Sequence, residues 1–226
     1  MKKAFTMLEL VFVIVVVGIL SYFAASSFQR NPLREAADQV VSHIRYTQHL
    51  AMMDDKFDPA EAQWFMRRWT LRFQQNVGFG GVPHDNAWTY TIFSDIPNFG
   101  GHNPDLVGMA RNPENSNQYL SGGYDNTLNV DDARAMKTLQ LAKKYGVTNV
   151  AFGGGCRADT LFIHFDYLGR PMNSFPPAAS NNAYYQPLVA GWHYLLTTAC
   201  QIILADSSGN NITILIEPET GYTHIQ

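Results

Sequence analysis

The first thirty residues constrain this chain more than any other part. Lys2-Lys3-Ala4 leads into Phe5-Thr6-Met7-Leu8-Glu9-Leu10, and an almost unbroken apolar run continues to Phe23. One carboxylate, Glu9, interrupts it. A charged side chain deep in a membrane helix costs roughly 2.5–3.5 kcal/mol on insertion scales, so an acid inside such a run marks a functional position. Met7 to Phe23, with Phe5 ahead of it, approaches the ~20 apolar residues that span ~30 Å of hydrocarbon. Lys2 and Lys3 precede the run and the next basic residue is Arg30. The positive-inside bias then predicts a cytoplasmic N-terminus with the remainder across the membrane. A secretory signal peptide shares the basic start, and Ala24-Ala25-Ser26 could serve as its cleavage site, but its core is normally 7–15 residues and uncharged. A plain single-span anchor with an incidental Glu is the other alternative.

The order Lys-Lys, small residue, Phe-Thr, Leu-Glu-Leu, then Val/Ile/Leu resembles the N-terminal signal of type IV pilins and type II secretion pseudopilins. The resemblance implies a leader over 1–4, cleaved by a prepilin peptidase between Ala4 and Phe5, with N-methylation of Phe5. Ala4 stands where the family usually has Gly. It implies a transmembrane and assembly helix over 5–30, in which Glu9 pairs with the N-terminal amine of a neighbouring subunit. It places a single-pass protein in a bacterial inner membrane, with residues 31–226 as a periplasmic pilin-like domain. Its implied partners are the peptidase, other pilin or pseudopilin subunits, an inner-membrane assembly platform and membrane lipids before assembly. In the C-terminal half, Phe165-Asp166-Tyr167-Leu168-Gly169-Arg170-Pro171 and Glu217-Pro218-Glu219-Thr220-Gly221-Tyr222 are similar to GspH/FimT-type minor pseudopilins, as is Trp69-Thr70-Leu71-Arg72-Phe73. The fold class expected is α+β: a long N-terminal helix, half transmembrane and half amphipathic, packed on antiparallel β-sheets.

The 226 residues suffice for one domain with a real core. The net charge of −3 becomes −5 without Lys2 and Lys3, which disfavours phosphate binding. Cys156 and Cys200 are the two cysteines. Outside the cytoplasm a lone pair defaults to a disulfide, with two free thiols or a metal pair as alternatives.

Asn31-Pro32 reads as a helix restart or kink. Leu33, Ala36, Ala37, Val40, Val41, Ile44 and Ala51 then form an apolar helical stripe. Ala60 to Arg67 is expected as a short helix capped by Asp58. Trp69–Phe73 and Trp88–Phe93 read as strands, and Ser94–Asn129 as a long loop within an insertion around 94–149. Asp131–Tyr145 reads as a helix stopped by Gly146. Val147–Phe152, Thr160–Phe165, Ala199–Ala205, Asn211–Glu217 and Tyr222–Ile225 are the C-terminal strands.

No enzyme signature is present: there is no G-x-S-x-G, Walker loop or H-E-x-x-H. No cofactor is expected. Asp125, Asn126, Asn129, Asp131 and Asp132 offer oxygens for Ca²⁺, without the EF-hand spacing, and serve turns and caps more simply. Arg67, Arg68 and Arg72, interleaved with Trp64 and Trp69, form a candidate nucleic-acid patch. The uncharged end, Gly221 to Gln226, lacks the basic residues of DNA-binding FimT-type relatives. The reading at this level is a minor pilin or pseudopilin that primes, caps or adapts a filament of a secretion or pilus-like machine. The alternative is a DNA-binding minor pilin for DNA uptake.

Overall fold

A computed structural model describes residues 6–27, 31–54, 56, 58–60, 67–75, 87–94, 103–172 and 195–226. The chain divides into two compact units, Met1–Asn31 and Pro32–Gln226. The first contains α1 (Met7–Ser27). The second begins with α2 (Pro32–Met53).

The expected long N-terminal helix is therefore corrected to two separate helices. Pro32 opens α2, where its fixed φ suits the first turn and its missing N–H costs nothing. Among the described residues, no helix is long and apolar enough to cross a membrane. The ends of α1 give the reason. Glu9 occupies its first turn, Ser21 interrupts the run, and its last four residues are Ala24-Ala25-Ser26-Ser27. The apolar run from Met7 to Phe23 holds 17 residues with Glu9 and Ser21 inside it, short of the ~20 predominantly apolar residues that span a hydrocarbon core. The transmembrane half and the single-pass inner-membrane placement are corrected with it.

α2 buries one stripe: Leu33, Ala36, Ala37, Val40, Val41, Ile44, Thr47 and Ala51. That i, i+3, i+4, i+7 spacing is the signature of a helix with one apolar face. The stripe meets two four-stranded antiparallel sheets. One has the order β2-β1-β4-β5, built from β1 (Trp69–Gln74), β2 (Thr89–Ser94), β4 (Phe162–Phe165) and β5 (Pro171–Met172). The other has the order β3-β6-β7-β8, built from β3 (Val147–Gly154), β6 (Cys200–Asp206), β7 (Asn211–Ile216) and β8 (Thr223–Ile225). Leu71, Phe73, Tyr90, Ile92 and Ile163 of the first sheet share one core with Val150, Phe152, Ile202, Leu204 and Ile214 of the second. Phe73 and Phe152 join the sheets edge to face, with ring centroids 5.7 Å apart.

Residues 103–136 are not a bare loop. They run beside β2 through bridges Phe93–Met109 and Thr91–Ser121. Phe93, Met109, Tyr119, Tyr124, Leu128 and Ala135 form a second, smaller core. The helix expected over Asp131–Tyr145 shrinks to a 3₁₀ turn (Lys137–Leu139) and α3 (Leu141–Tyr145). Its first residues are taken by side-chain turns instead. Asn129 Oδ1 accepts from the Asp131 amide at 2.9 Å, and Asp132 Oδ1 from the Arg134 amide at 2.8 Å. Gly146, at φ 71°, ends α3. The helix expected from Ala60 to Arg67 lies largely outside the described residues.

Candidate functional site

The helix start around Thr6 explains the position of Glu9 locally. The Thr6 amide and hydroxyl both donate to Glu9 Oε2 at 2.9 Å, and the Glu9 amide donates to Thr6 Oγ1 at 3.3 Å. Thr-x-x-Glu closing on itself is a capping box, which satisfies amides that a helix start leaves open. Glu9 is therefore held within its own chain. Ala4 and Phe5, the residues flanking the expected cut, lie outside the described residues. Beyond the cap, α1 exposes large apolar side chains around its whole circumference, from Val16 at 36% to Met7 at 86%. Phe12, Ile14, Leu20, Tyr22 and Phe23 are each more than half exposed.

The second unit carries its own exposed apolar cluster, built on two turns that the sequence analysis singles out. In the turn after β4, Asp166 accepts from the Leu168 and Arg170 amides at 3.0 and 2.8 Å, and from Arg170 Nε at 2.7 Å. In the turn before β8, the Gly221 amide donates to the Glu217 carbonyl at 3.0 Å, and Glu219 sits at φ 61°. Gln48 of α2 holds the two together: its Nε2 donates to the Gly169 and Thr220 carbonyls, each at 2.7 Å. Both turns need glycine at this seam. Gly169 and Gly221 have φ of 78° and 65°. A Cβ on Gly221 would stand 2.6 Å from Gln48 Nε2 and 2.9 Å from the Gly169 carbonyl oxygen. Arg45 adds a third tie, donating from Nη2 to the Thr223 carbonyl at 2.6 Å beneath the Tyr222 ring. Around this seam Met52, Met53, Tyr167, Leu168 and Tyr222 are exposed. Sequence reasoning singles out both segments as motifs of a resemblance but misses Gln48, because a lone Gln on a helix carries no signal.

Cys156 and Cys200 form a disulfide with Cα atoms 4.8 Å apart. The glycine run before it is structural. A Cβ on Gly155 would stand 2.1 Å from the Thr198 carbonyl oxygen, so the end of β3 lies against the chain entering β6 only because no side chain intervenes. His43 of α2 is hydrogen-bonded through Nδ1 to Tyr90 Oη at 2.7 Å in the helix–sheet interface. Desolvation lowers its pKa from 6.5 to about 4. Tyr145 donates to Gln39 beside them.

Two of the residues weighed for Ca²⁺, Asn129 and Asp132, accept through their side-chain oxygens from backbone amides and, for Asp132, from Arg134. Arg134 binds both oxygens of Asp132, and these hydrogen bonds lower its carboxyl pKa to about 2. Lys137 and Gln140 both donate to the Val130 carbonyl. Among the described residues, no group of three His, Cys, Asp or Glu could hold a metal. The arginines weighed as a patch have separate partners: Arg67 pairs with Asp58 at 3.7 Å, Arg68 meets Met172 Sδ, and Arg72 donates to Asn103 Oδ1 at 3.0 Å. Trp69 donates to Asp54 at 3.0 Å, and Trp64 lies outside the described residues.

No family model matches the chain. No solved structure matches it either. Among curated proteins, the chain is similar to a ribosome biogenesis protein, YTM1, of Candida albicans, at 33% identity over 81 residues. That match covers 35% of this chain and 17% of the yeast protein's length, so it shows no family. These findings overturn the resemblance to pilins and pseudopilins and the secretion vocabulary attached to it. A physical reason accompanies them: Glu four residues after Phe5 is also Glu three residues after a capping Thr, a spacing common to many helix starts.

Proposed function

We propose that this chain is a structural subunit rather than an enzyme, and that α1 associates with the apolar helices of other subunits. The observation that carries the reading is the exposure of α1 on every side. A helix apolar all round is stable only when covered, and the second unit already closes its own core. Glu9, satisfied by Thr6, keeps the start of the bundle polar and sets where apolar packing begins. The patch around Met52, Tyr167 and Tyr222 supplies a surface for neighbours on the second unit.

The test is sedimentation velocity and lysine cross-linking of the full chain beside a Val13→Asp, Val17→Asp variant. The expected result is a defined oligomer for the wild type and, for the variant, loss of that oligomer to a species no larger than a dimer. A monomeric wild type that binds neutral lipid vesicles instead would overturn the reading.

A further inference from the structure

The two sheets have four outer edges, and three are closed or short among the described residues. β2 is flanked by the chain through Met109 and Ser121. β5 is two residues long and is bridged from Met172 to Leu195. β8 is three residues long and is tied to α2 through Arg45. β3 differs. It is eight residues long, and β6 is its one strand neighbour among the described residues.

Its sequence, Val147-Thr-Asn-Val-Ala-Phe-Gly-Gly154, has no charge and no proline. Charges, prolines and short lengths are what usually stop a sheet edge from pairing with another chain. A register shift lies between Val147 and Asn149, and Trp88 Nε1 donates to the Thr148 carbonyl at 3.0 Å, so that end of the strand is occupied. Asn149 to Gly153 remain. Val150 and Phe152 are buried, which leaves Asn149, Ala151 and Gly153 on the opposite face. All three are small.

We propose that β3 of one copy pairs antiparallel with β3 of a second copy, about a two-fold axis at Ala151. The partner is a second copy because this edge complements itself. In that register Ala151 faces Ala151, Asn149 faces Gly153, and no like charges oppose each other. The contact is isologous and closes after two copies. Main-chain hydrogen bonds supply its affinity, as in other strand additions. It joins two four-stranded sheets into one of eight and does not depend on α1.

The test uses the full chain carrying Ala151→Cys, kept in mild detergent so that α1 does not drive aggregation, with Asn211→Cys on the exposed hairpin as control. Facing residues in an antiparallel pair have Cβ atoms about 4.5–5.5 Å apart, within reach of a disulfide. Oxidation is expected to give covalent dimer at least ten times faster at 151 than at 211. Intact mass verifies that Cys156–Cys200 stays closed. Ala151→Lys and Ala151→Glu, each alone, are expected to remain monomeric, and their mixture to form a heterodimer by native mass spectrometry. The cross-link at 151 is expected to persist with Val13→Asp and Val17→Asp, which separates this contact from association through α1. Equal rates at 151 and 211, or a Lys/Glu mixture that stays monomeric, would overturn the proposal.

Discussion

Replacing Gln48 by alanine tests whether one amide organises the seam between α2 and the two sheets. Gln48 Nε2 makes two hydrogen bonds of 2.7 Å, to turns that follow strands of different sheets. Each such bond contributes about 0.5–1.5 kcal/mol net, and the buried Gly169 carbonyl left unsatisfied costs more, while the exposed Thr220 carbonyl turns to water. The substitution should therefore destabilise the second unit by about 2 kcal/mol. Urea unfolding followed by tryptophan fluorescence measures this as a lower midpoint at unchanged slope. Gly221→Ala alone should cost at least as much, because its Cβ collides with the same amide at a positive φ. The two changes strike one contact, so the double variant should be less destabilised than the sum of the singles, by 0.5 kcal/mol or more. A Gln48→Ala loss under 0.5 kcal/mol, or strict additivity with Gly221→Ala, would refute the idea of a shared seam.

Two further outcomes follow from the core. His43 has a folded pKa lowered to about 4 against an ordinary 6.5, so the unfolded chain takes up its proton first as pH falls. Stability should be full above pH 6.5 and fall between pH 6.5 and 4 by up to about 3 kcal/mol, and His43→Gln should flatten that slope in urea titrations. Reducing Cys156–Cys200 opens a loop with a sequence separation of 44, which in the chain-entropy account removes about 4 kcal/mol. Unfolding midpoints with and without reductant and alkylation measure this, and an unchanged midpoint would contradict it.

The sequence makes some of this legible and hides the rest for physical reasons. The α2 stripe is readable because helix periodicity and burial coincide from Leu33 to Ala51. The strands from Val147 onward are readable because β-branched runs are bounded by turn residues such as Asp206-Ser207-Ser208-Gly209. Asp131–Tyr145 misleads: its acidic start resembles a helix N-terminus, yet Asn129 and Asp132 bind backbone amides in turns that compete with the helix. The small core around Phe93 and Tyr119 leaves no periodic trace because its members sit on irregular chain brought together by distant bridges. The Thr6-x-x-Glu9 spacing before an apolar run also carries a capping box, a local role that the sequence analysis does not read. The family reading fails for the same reason: a few residues with a common local role carry too much of it.

The Cys156–Cys200 bond also fixes how the molecule responds to tension. Both cysteines border the β3–β6 pair, while β4 and β5, which belong to the other sheet, lie on the chain between them. A pull between the two chain ends passes through the sulfur bridge and bypasses that segment. At about 3.4 Å per residue, a separation of 44 keeps roughly 150 Å of contour out of reach of the force. As a subunit under load the chain would yield a shorter extension than its length implies, and reduction would release the remainder.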